Sequence, residues 1–226
     1  MMPIGSLVNM LAVIVGSLFG LLLGQRFPEN IRRISIKGIG LCTLLIGTQM
    51  ALKVENILFV ILSILLGGIL GEFLNLQSKF EQLGDLLKKR LPIKNERFTE
   101  GLITTFILFC VGSLTIVGAL EEGLRNDPTL LYTKSVLDGF SSIVFASVYG
   151  IGVLFSAFPL IIFQGGITLL AGKVEPYLTD MVINQLSATG GILIVGLGFN
   201  LLEIQNLKIT NFLPALIIII FLSLVF

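Results

Sequence analysis

Histidine is missing from all 226 residues, which removes the commonest metal ligand and the usual general acid or base near neutral pH. Cysteine is nearly missing too. Cys42 and Cys110 both stand in apolar runs, where a buried small hydrophobe is the expected reading rather than a disulfide or a metal ligand. Charge is the third shortage: 13% of residues are charged and 54% apolar, with a mean hydropathy of +0.99. Soluble domains carry roughly 25% charged residues, so the chain reads as an integral membrane protein. A net charge of +1 offers no global field for nucleic acid. The centres of the apolar runs hold no strongly charged residue, which argues against a buried carboxylate relay or a voltage sensor. HExxH, a serine in a GxSxG setting and an interior carboxylate pair are all absent, so neither an enzyme nor a cofactor is expected.

What is present is a series of apolar runs, each to be measured against the roughly 20 residues that cross a bilayer core. Residues 3–25 meet that length, and MMPIGSL has no basic region or cleavage site, so the run reads as a permanent first span. Runs 38–52 and 57–71 are short and can span if flanking Lys53 and Glu72 reach the interface. Residues 101–120, 181–202 and 209–226 are single spans. From Gly139 to Gly172 the chain is uncharged, too long for one helix, and SAFP at 156–159 supplies the turn of a hairpin. The expected fold is an all-α membrane protein of seven or eight transmembrane helices in a single integral domain over 1–226. The run 159–172 either spans or forms a re-entrant half-helix.

Basic residues orient these helices. Arg26, Arg32, Arg33 and Lys37 fall in segment 25–37, and Lys79, Lys88, Lys89, Arg90, Lys94 and Arg97 in segment 73–100; with Lys208 that is eleven of the fifteen. The N-terminus is therefore expected outside, with both segments cytoplasmic. The run KKR at 88–90 beside Phe80, Leu83 and Leu87 reads as an amphipathic helix on anionic lipid.

One stretch occurs twice. LLLGQRFPENI at 21–31 and LLAGKVEPY at 169–177 align Leu21 and Leu22 with Leu169 and Leu170, Gly24 with Gly172 and Pro28 with Pro176. An interfacial helix follows each proline, IRRISIK in one case and LTDMVINQL in the other. A three-residue insertion then pairs Gly40 with Gly191, Gly47 with Gly198 and Gln49 with Asn200. The unit occurs as repeat one, 3–72, and repeat two, 158–226, around a cytoplasmic amphipathic segment at 73–100 and linking helices at 101–157. Five spans separate equivalent helices, so helices 1–3 and 6–8 form an inverted-topology repeat, an organisation common among secondary transporters.

Gly16, Gly20 and Gly24 form a small-xxx-small ridge suited to close helix packing. The doublets Gly67-Gly68, Gly165-Gly166 and Gly190-Gly191 are candidate helix breaks, because each glycine weakens a helix by roughly 1 kcal/mol relative to alanine. Serines and threonines in the spans, including Thr115, Ser141 and Ser142, can satisfy themselves on their own helix. Amides cannot: an unpaired one in an apolar medium costs several kcal/mol. Asn9, Gln49, Gln164 and Asn200 are thus the stronger candidates, with Gln49 and Asn200 at equivalent depths on facing helices, lining a midplane site or bonding one another. Asp138 stands at the outer entrance of the fifth helix and Glu72 near the inner end of the third, each as a solvated cap or a functional group.

GSLVN near the start, GGILGE at 67–72, LFCVGSLTIVGALEEGL at 108–124, KSVLDGFSSIVFASVYGIGV at 134–153 and NFLPAL at 211–216 resemble the bacterial inner-membrane proteins of domain-of-unknown-function family 554. The resemblance covers nearly the whole chain. It implies a multi-pass protein of the bacterial plasma membrane and no particular activity. In that family a proline is expected where Ser113 stands, which leaves Gly112 to break the helix alone.

The function these features favour is a secondary transporter or channel for an ion or small polar solute, with a site near the midplane between the repeats. Its pathway residues are Asn9, Gln49, Gly112, Ser113, Thr115, Asp138, Ser141, Ser142, Gln164 and Asn200. The alternative is a non-transporting scaffold or a lipid- or partner-binding protein, which the amphipathic segment supports. The partners are the lipid bilayer and the solute, with a homodimer compatible and nucleic acid not expected.

Overall fold

A computed structural model describes residues 2–24, 29–82, 97–110 and 113–225. Every regular element among them is helical: α1 (Ile4–Gly24), α2 (Glu29–Ala51), α3 (Ile57–Phe73), α4 (Leu76–Gln82), α5 (Phe98–Cys110), α6 (Ser113–Arg125), α7 (Thr129–Tyr149), α8 (Gly152–Phe155), α9 (Ala157–Val174), α10 (Asp180–Leu201) and α11 (Pro214–Val225). Short 3-10 turns lie at Glu175–Tyr177 and Ile209–Phe212.

Three helical stretches are long and apolar enough to cross a membrane: α1, α8 with α9 through Tyr177, and α10. Two bent pairs, α3 with α4 and α5 with α6, each angled at 56°, bring the number to five. The apolar helices over 36–51 and 209–225 are shorter. Helix α7 has 21 residues, but Lys134 and Asp138 interrupt its apolar character.

Three expected boundaries move. The interfacial helices after the two prolines are continuous with the helices that follow, as α2 and α10, because neither junction contains a proline to interrupt the i to i−4 bonds. The hairpin turns at Gly150 rather than at SAFP; Gly150 has φ 75° and ψ −149°, a conformation open to glycine, and it ends α7. Pro159 falls in the first turn of α9, where backbone N–H groups lack helical acceptors in any case. All three glycine doublets lie inside unbroken helices, α3, α9 and α10. Pro28, Gln25, Gly112 and the KKR segment lie outside the described residues.

The chain divides into two compact units, Met1–Ser35 with Asn95–Pro176, and Ile36–Lys94 with Tyr177–Phe226. In the first, α1 packs on α7 in parallel through the glycine ridge: a Cβ on Gly16, Gly20 or Gly24 would collide with the backbone carbonyl oxygen of Gly139, Ile143 or Ser147. Here glycine replaces hydrophobic drive by close backbone approach. Helix α6 packs on α9, where Gly123 meets the Thr168 carbonyl and Ala171, while Gly152 of α8 abuts Phe98 and Leu102 of α5.

In the second unit α2 and α10 run antiparallel. Gly40 faces Leu201 and Leu202, Gly47 faces Gly191 and Val195, and Gly198 faces Leu44. These contacts have a pattern. The offset from Gly40 to Gly191 and from Gly47 to Gly198 is 151 (191 − 40 and 198 − 47). Gly191 touches Met50 and Ala51, and Gly40 touches Leu201 and Leu202, the positions 151 further on. Gly47 touches Val195 and Gly198 touches Leu44, again exchanged by the same offset. Helix α3 meets the 209–212 turn and α11 in the same glycine-mediated manner: Gly67 lies on Ala215, Gly68 on Phe212 and Gly71 on the Asn211 backbone. Two of the motifs quoted above, GGILGE and NFLPAL, are thus the two halves of one contact, tied also by Asn211 Nδ2 donating to Glu72 Oε2 at 2.5 Å and Lys208 Nζ to Glu72 Oε1 at 2.9 Å.

Candidate functional site

The first unit contains three layers, stepped about one helical turn apart along α1. The layer at the N-terminal end of α1 is held by Glu122 of α6. Its Oε1 accepts from the Gly5 amide at 2.5 Å, a carboxylate on one of the free N–H groups at the start of α1. Its Oε2 accepts from Thr168 Oγ1 of α9 at 3.2 Å, and Ser6 Oγ lies 3.5 Å from the same hydroxyl. The carboxylate so joins α1, α6 and α9.

One turn deeper is a charged and amide layer. Asn9 Nδ2 donates to Asp138 Oδ2 at 3.0 Å and to Gln164 Oε1 at 3.2 Å. Lys134 Nζ donates to the same Asp138 oxygen from one turn earlier in α7, and it lies 5.7 Å from the Phe109 ring centroid, within cation–π range. Asn9 and Gln164 are both 0% exposed. Two of their polar atoms, Asn9 Oδ1 and Gln164 Nε2, are buried with no hydrogen-bond partner among the described residues. Rotating the amides does not remove this. Turning Asn9 over would aim its oxygen at the Asp138 carboxylate, so the carboxylate fixes the orientation.

The third layer is apolar: Val13, Phe109, Cys110, Ala157 and Leu160, all buried, with Met10, Ile14, Phe106, Leu108 and Phe163 packed around them. It closes the polar layer on the side away from the N-terminus. Between α5 and α6, Thr115 Oγ1 donates to the Phe109 carbonyl at 2.7 Å, which supplies a hydrogen bond across the bend.

Of the residues proposed from sequence, Asn9, Asp138 and Gln164 come together here, with Thr115 at the adjoining bend. Ser142 donates to the Asp138 carbonyl of its own helix at 2.7 Å, the self-satisfying bond expected of it. Ser141 is half-buried on the same helix, and Ser113 opens α6. Gly112 lies outside the described residues.

Gln49 and Asn200 do not meet. In the antiparallel register of α2 and α10 they are about seven residues, roughly 10 Å, apart along the pair. Gln49 is exposed. Asn200 closes its own loop, donating to the Leu207 carbonyl and accepting from the Leu207 amide, both at 2.8 Å. An amide with both ends satisfied locally needs no partner across a helix interface, so equal depth in two repeats did not imply contact. Cys42 also departs from expectation, being exposed, while Cys110 is buried.

Three charged side chains are buried within the protein, Glu122 of α6 and Lys134 and Asp138 of α7. Asp138 is not at a helix entrance but near the middle of α7 (Thr129–Tyr149). Pairing makes this affordable. A signal for each existed. Lys134 and Asp138 are four residues apart and in phase with buried Leu131, Ser142 and Phe145, and Glu122 continues the buried stripe of Thr115 and Ala119. Its neighbour Glu121 points about 100° away and pairs with exposed Arg125 at 2.9 Å. Outside the helices, Asp127 Oδ1 accepts from the Thr129 hydroxyl at 2.6 Å and its amide at 3.0 Å, which holds this carboxyl below the ordinary range.

Long apolar helices packed through glycines are the marks of a helical membrane protein, consistent with several membrane passes. The chain belongs to the family described as Protein of unknown function (DUF554), which it matches over residues 4–224. It is 34% identical over 218 residues to the Uncharacterized membrane protein YdfK of Bacillus subtilis (strain 168), covering 95% of this chain and 93% of the relative. It is also 34% identical over 224 residues to the Uncharacterized protein YqgA of Escherichia coli (strain K12), covering 96% and 94%. No solved structure matches.

Proposed function

We propose that the protein is a secondary transporter or channel for an ion or small polar solute, with its site at the layer of Asn9, Lys134, Asp138 and Gln164. One observation carries this reading: two fully buried amides keep an acceptor and a donor without partners among the described residues, beside a buried ion pair. A purely structural cluster is favoured when every member is satisfied, since an unmet buried polar group costs about 1–3 kcal/mol. Groups left open in this way suit a solute that binds and leaves.

The reading extends to architecture. The exchange of α2 and α10 contacts by one offset supports an inverted repeat of 3–72 and 158–226, on seven or eight spans. The parallel run of α1 and α7 puts the 126–128 turn at the N-terminal end of α1, in keeping with an outside N-terminus and cytoplasmic 25–37 and 73–100 in a bacterial plasma membrane. Catalysis forms no part of this reading.

The test is flux. Full-length protein in liposomes is expected to carry at least one member of a panel of alkali cations, organic anions, amines, amino acids and polyols. Asn9→Leu should abolish that flux. A protein that moves none of them, in either orientation of the gradient, is a scaffold or lipid-binding protein instead.

A further inference from the structure

The four groups of the polar layer fall into two pairs of like hydrogen-bonding character. Lys134 Nζ and the free Gln164 Nε2 are donors; the Asp138 carboxylate and the free Asn9 Oδ1 are acceptors. Each pair consists of one charged group and one neutral group of the same polarity, and Lys134 and Asp138 satisfy one another in the state described. Resting on the transport reading above, we infer that the solute is a small zwitterion of the amino-acid type, its carboxylate taken by Lys134 and Gln164 and its ammonium by Asp138 and Asn9.

Charge arithmetic favours this class over its rivals. A bare cation at Asp138 would leave the Lys134 ammonium displaced and the Gln164 donor unmet; an anion at Lys134 would leave the Asp138 carboxylate and Asn9 Oδ1 unmet. A neutral hydroxylic molecule meets the two amide atoms and leaves the ion pair unused. A zwitterion exchanges one internal ion pair for two across the ligand, adds no net charge, and meets both free amide atoms. The layers on either side fit a closed site, with Glu122 bridging three helices above it and the Val13–Leu160 cluster below.

Labelled glycine, alanine and serine are the probes, with protein in liposomes. The expected result is saturable uptake of at least one, competed by the other two and not by methylamine, acetate, glycerol or rubidium. Betaine, a zwitterion whose nitrogen has no N–H, should compete at least tenfold more weakly, because it cannot donate to Asn9 Oδ1. Gln164→Leu should raise the half-saturating concentration at least tenfold. In detergent, glycine should raise the melting temperature of the unmodified protein where betaine does not, a readout that needs no variant. A protein that carries rubidium, methylamine, acetate or glycerol and none of the three amino acids is a transporter of another class, and the zwitterion assignment fails alone. Movement of no probe overturns both readings. Equal competition by betaine and glycine overturns the assignment of the ammonium to Asn9.

Discussion

Lys134→Met isolates the physics of the buried layer. It removes the ammonium that meets Asp138 Oδ2 and leaves the carboxylate, among the described residues, the Asn9 amide at 3.0 Å. Breaking a buried pair by deleting one member costs about 3–5 kcal/mol. The carboxyl has an escape, which is to take up a proton. At pH 7, from an ordinary value near 3.9, that costs about 1.36 × (7 − 3.9), or roughly 4 kcal/mol, which sets the ceiling. The sign with pH follows: at pH 5 the same arithmetic gives about 1.5 kcal/mol, so the variant's deficit should shrink as pH falls. In the double variant Lys134→Met/Asp138→Leu neither charge remains, and replacing a buried pair by apolar groups of similar size is often neutral or stabilising. Chemical unfolding of the unmodified protein, Lys134→Met, Asp138→Leu and the double variant in detergent, at pH 7 and pH 5, measures the coupling. The double variant should recover most of what the single loses. Additive losses, or a Lys134→Met deficit that is the same at both pH values, would refute the ion-pair account of this layer. Recovered stability in the double variant, with no recovery of flux, would separate folding from transport.

Other outcomes follow from packing and topology. Gly20→Ala puts a methyl into the Ile143 carbonyl and should lower stability by about 1–3 kcal/mol, whereas Gly166→Ala, with nothing within 4 Å of its Cβ, should gain up to about 1 kcal/mol from helix propensity; equal effects in unfolding titrations would contradict the α1–α7 contact. Asn200→Leu removes both Leu207 bonds and should cost about 1–3 kcal/mol while uptake is unchanged, since the residue closes a loop outside the charged layer. Single cysteines introduced at Asn95 and Asn126, in a cysteine-free background, should react with an impermeant maleimide from opposite sides of the membrane; labelling from one side removes the proposed orientation.

Much of the helical architecture was legible because lipid imposes simple demands. Long apolar runs announced α1, α10 and the 139–172 hairpin, and four-residue glycine spacing announced the α1 ridge that rests on α7. Helix continuity was harder to read. Both IRRISIK and LTDMVINQL are polar enough to suggest a surface, yet polarity does not end a helix when no proline or capping residue intervenes, and α2 and α10 run through. The doublets misled for the opposite reason: a glycine weakens a lone helix, but at Gly67, Gly68 and Gly191 the missing side chain is what admits a neighbouring helix, and packing outweighs propensity of roughly 1 kcal/mol per residue.

The charged layer was hidden by the same rule that reveals spans. Averaging hydropathy along the chain counts Lys134 and Asp138 as two separate penalties and so starts the helix after them, at Gly139, although α7 begins at Thr129. In three dimensions the two penalties are one interaction, because residues four apart share a helix face and Asp138 receives the ammonium and the Asn9 amide together. Glu122 escaped in a similar way, since its partners are the Gly5 amide and the Thr168 hydroxyl, groups that no charge count registers. Asn9 and Gln164 could be found because an amide in an apolar run must be met by something. That argument identifies the residues in need of partners without naming the partners, and in this protein it is also what points to the ligand. The amide atoms still unmet after folding, Asn9 Oδ1 and Gln164 Nε2, are one acceptor and one donor beside a group of each charge, and a solute that completes the layer must bring the complement of all four.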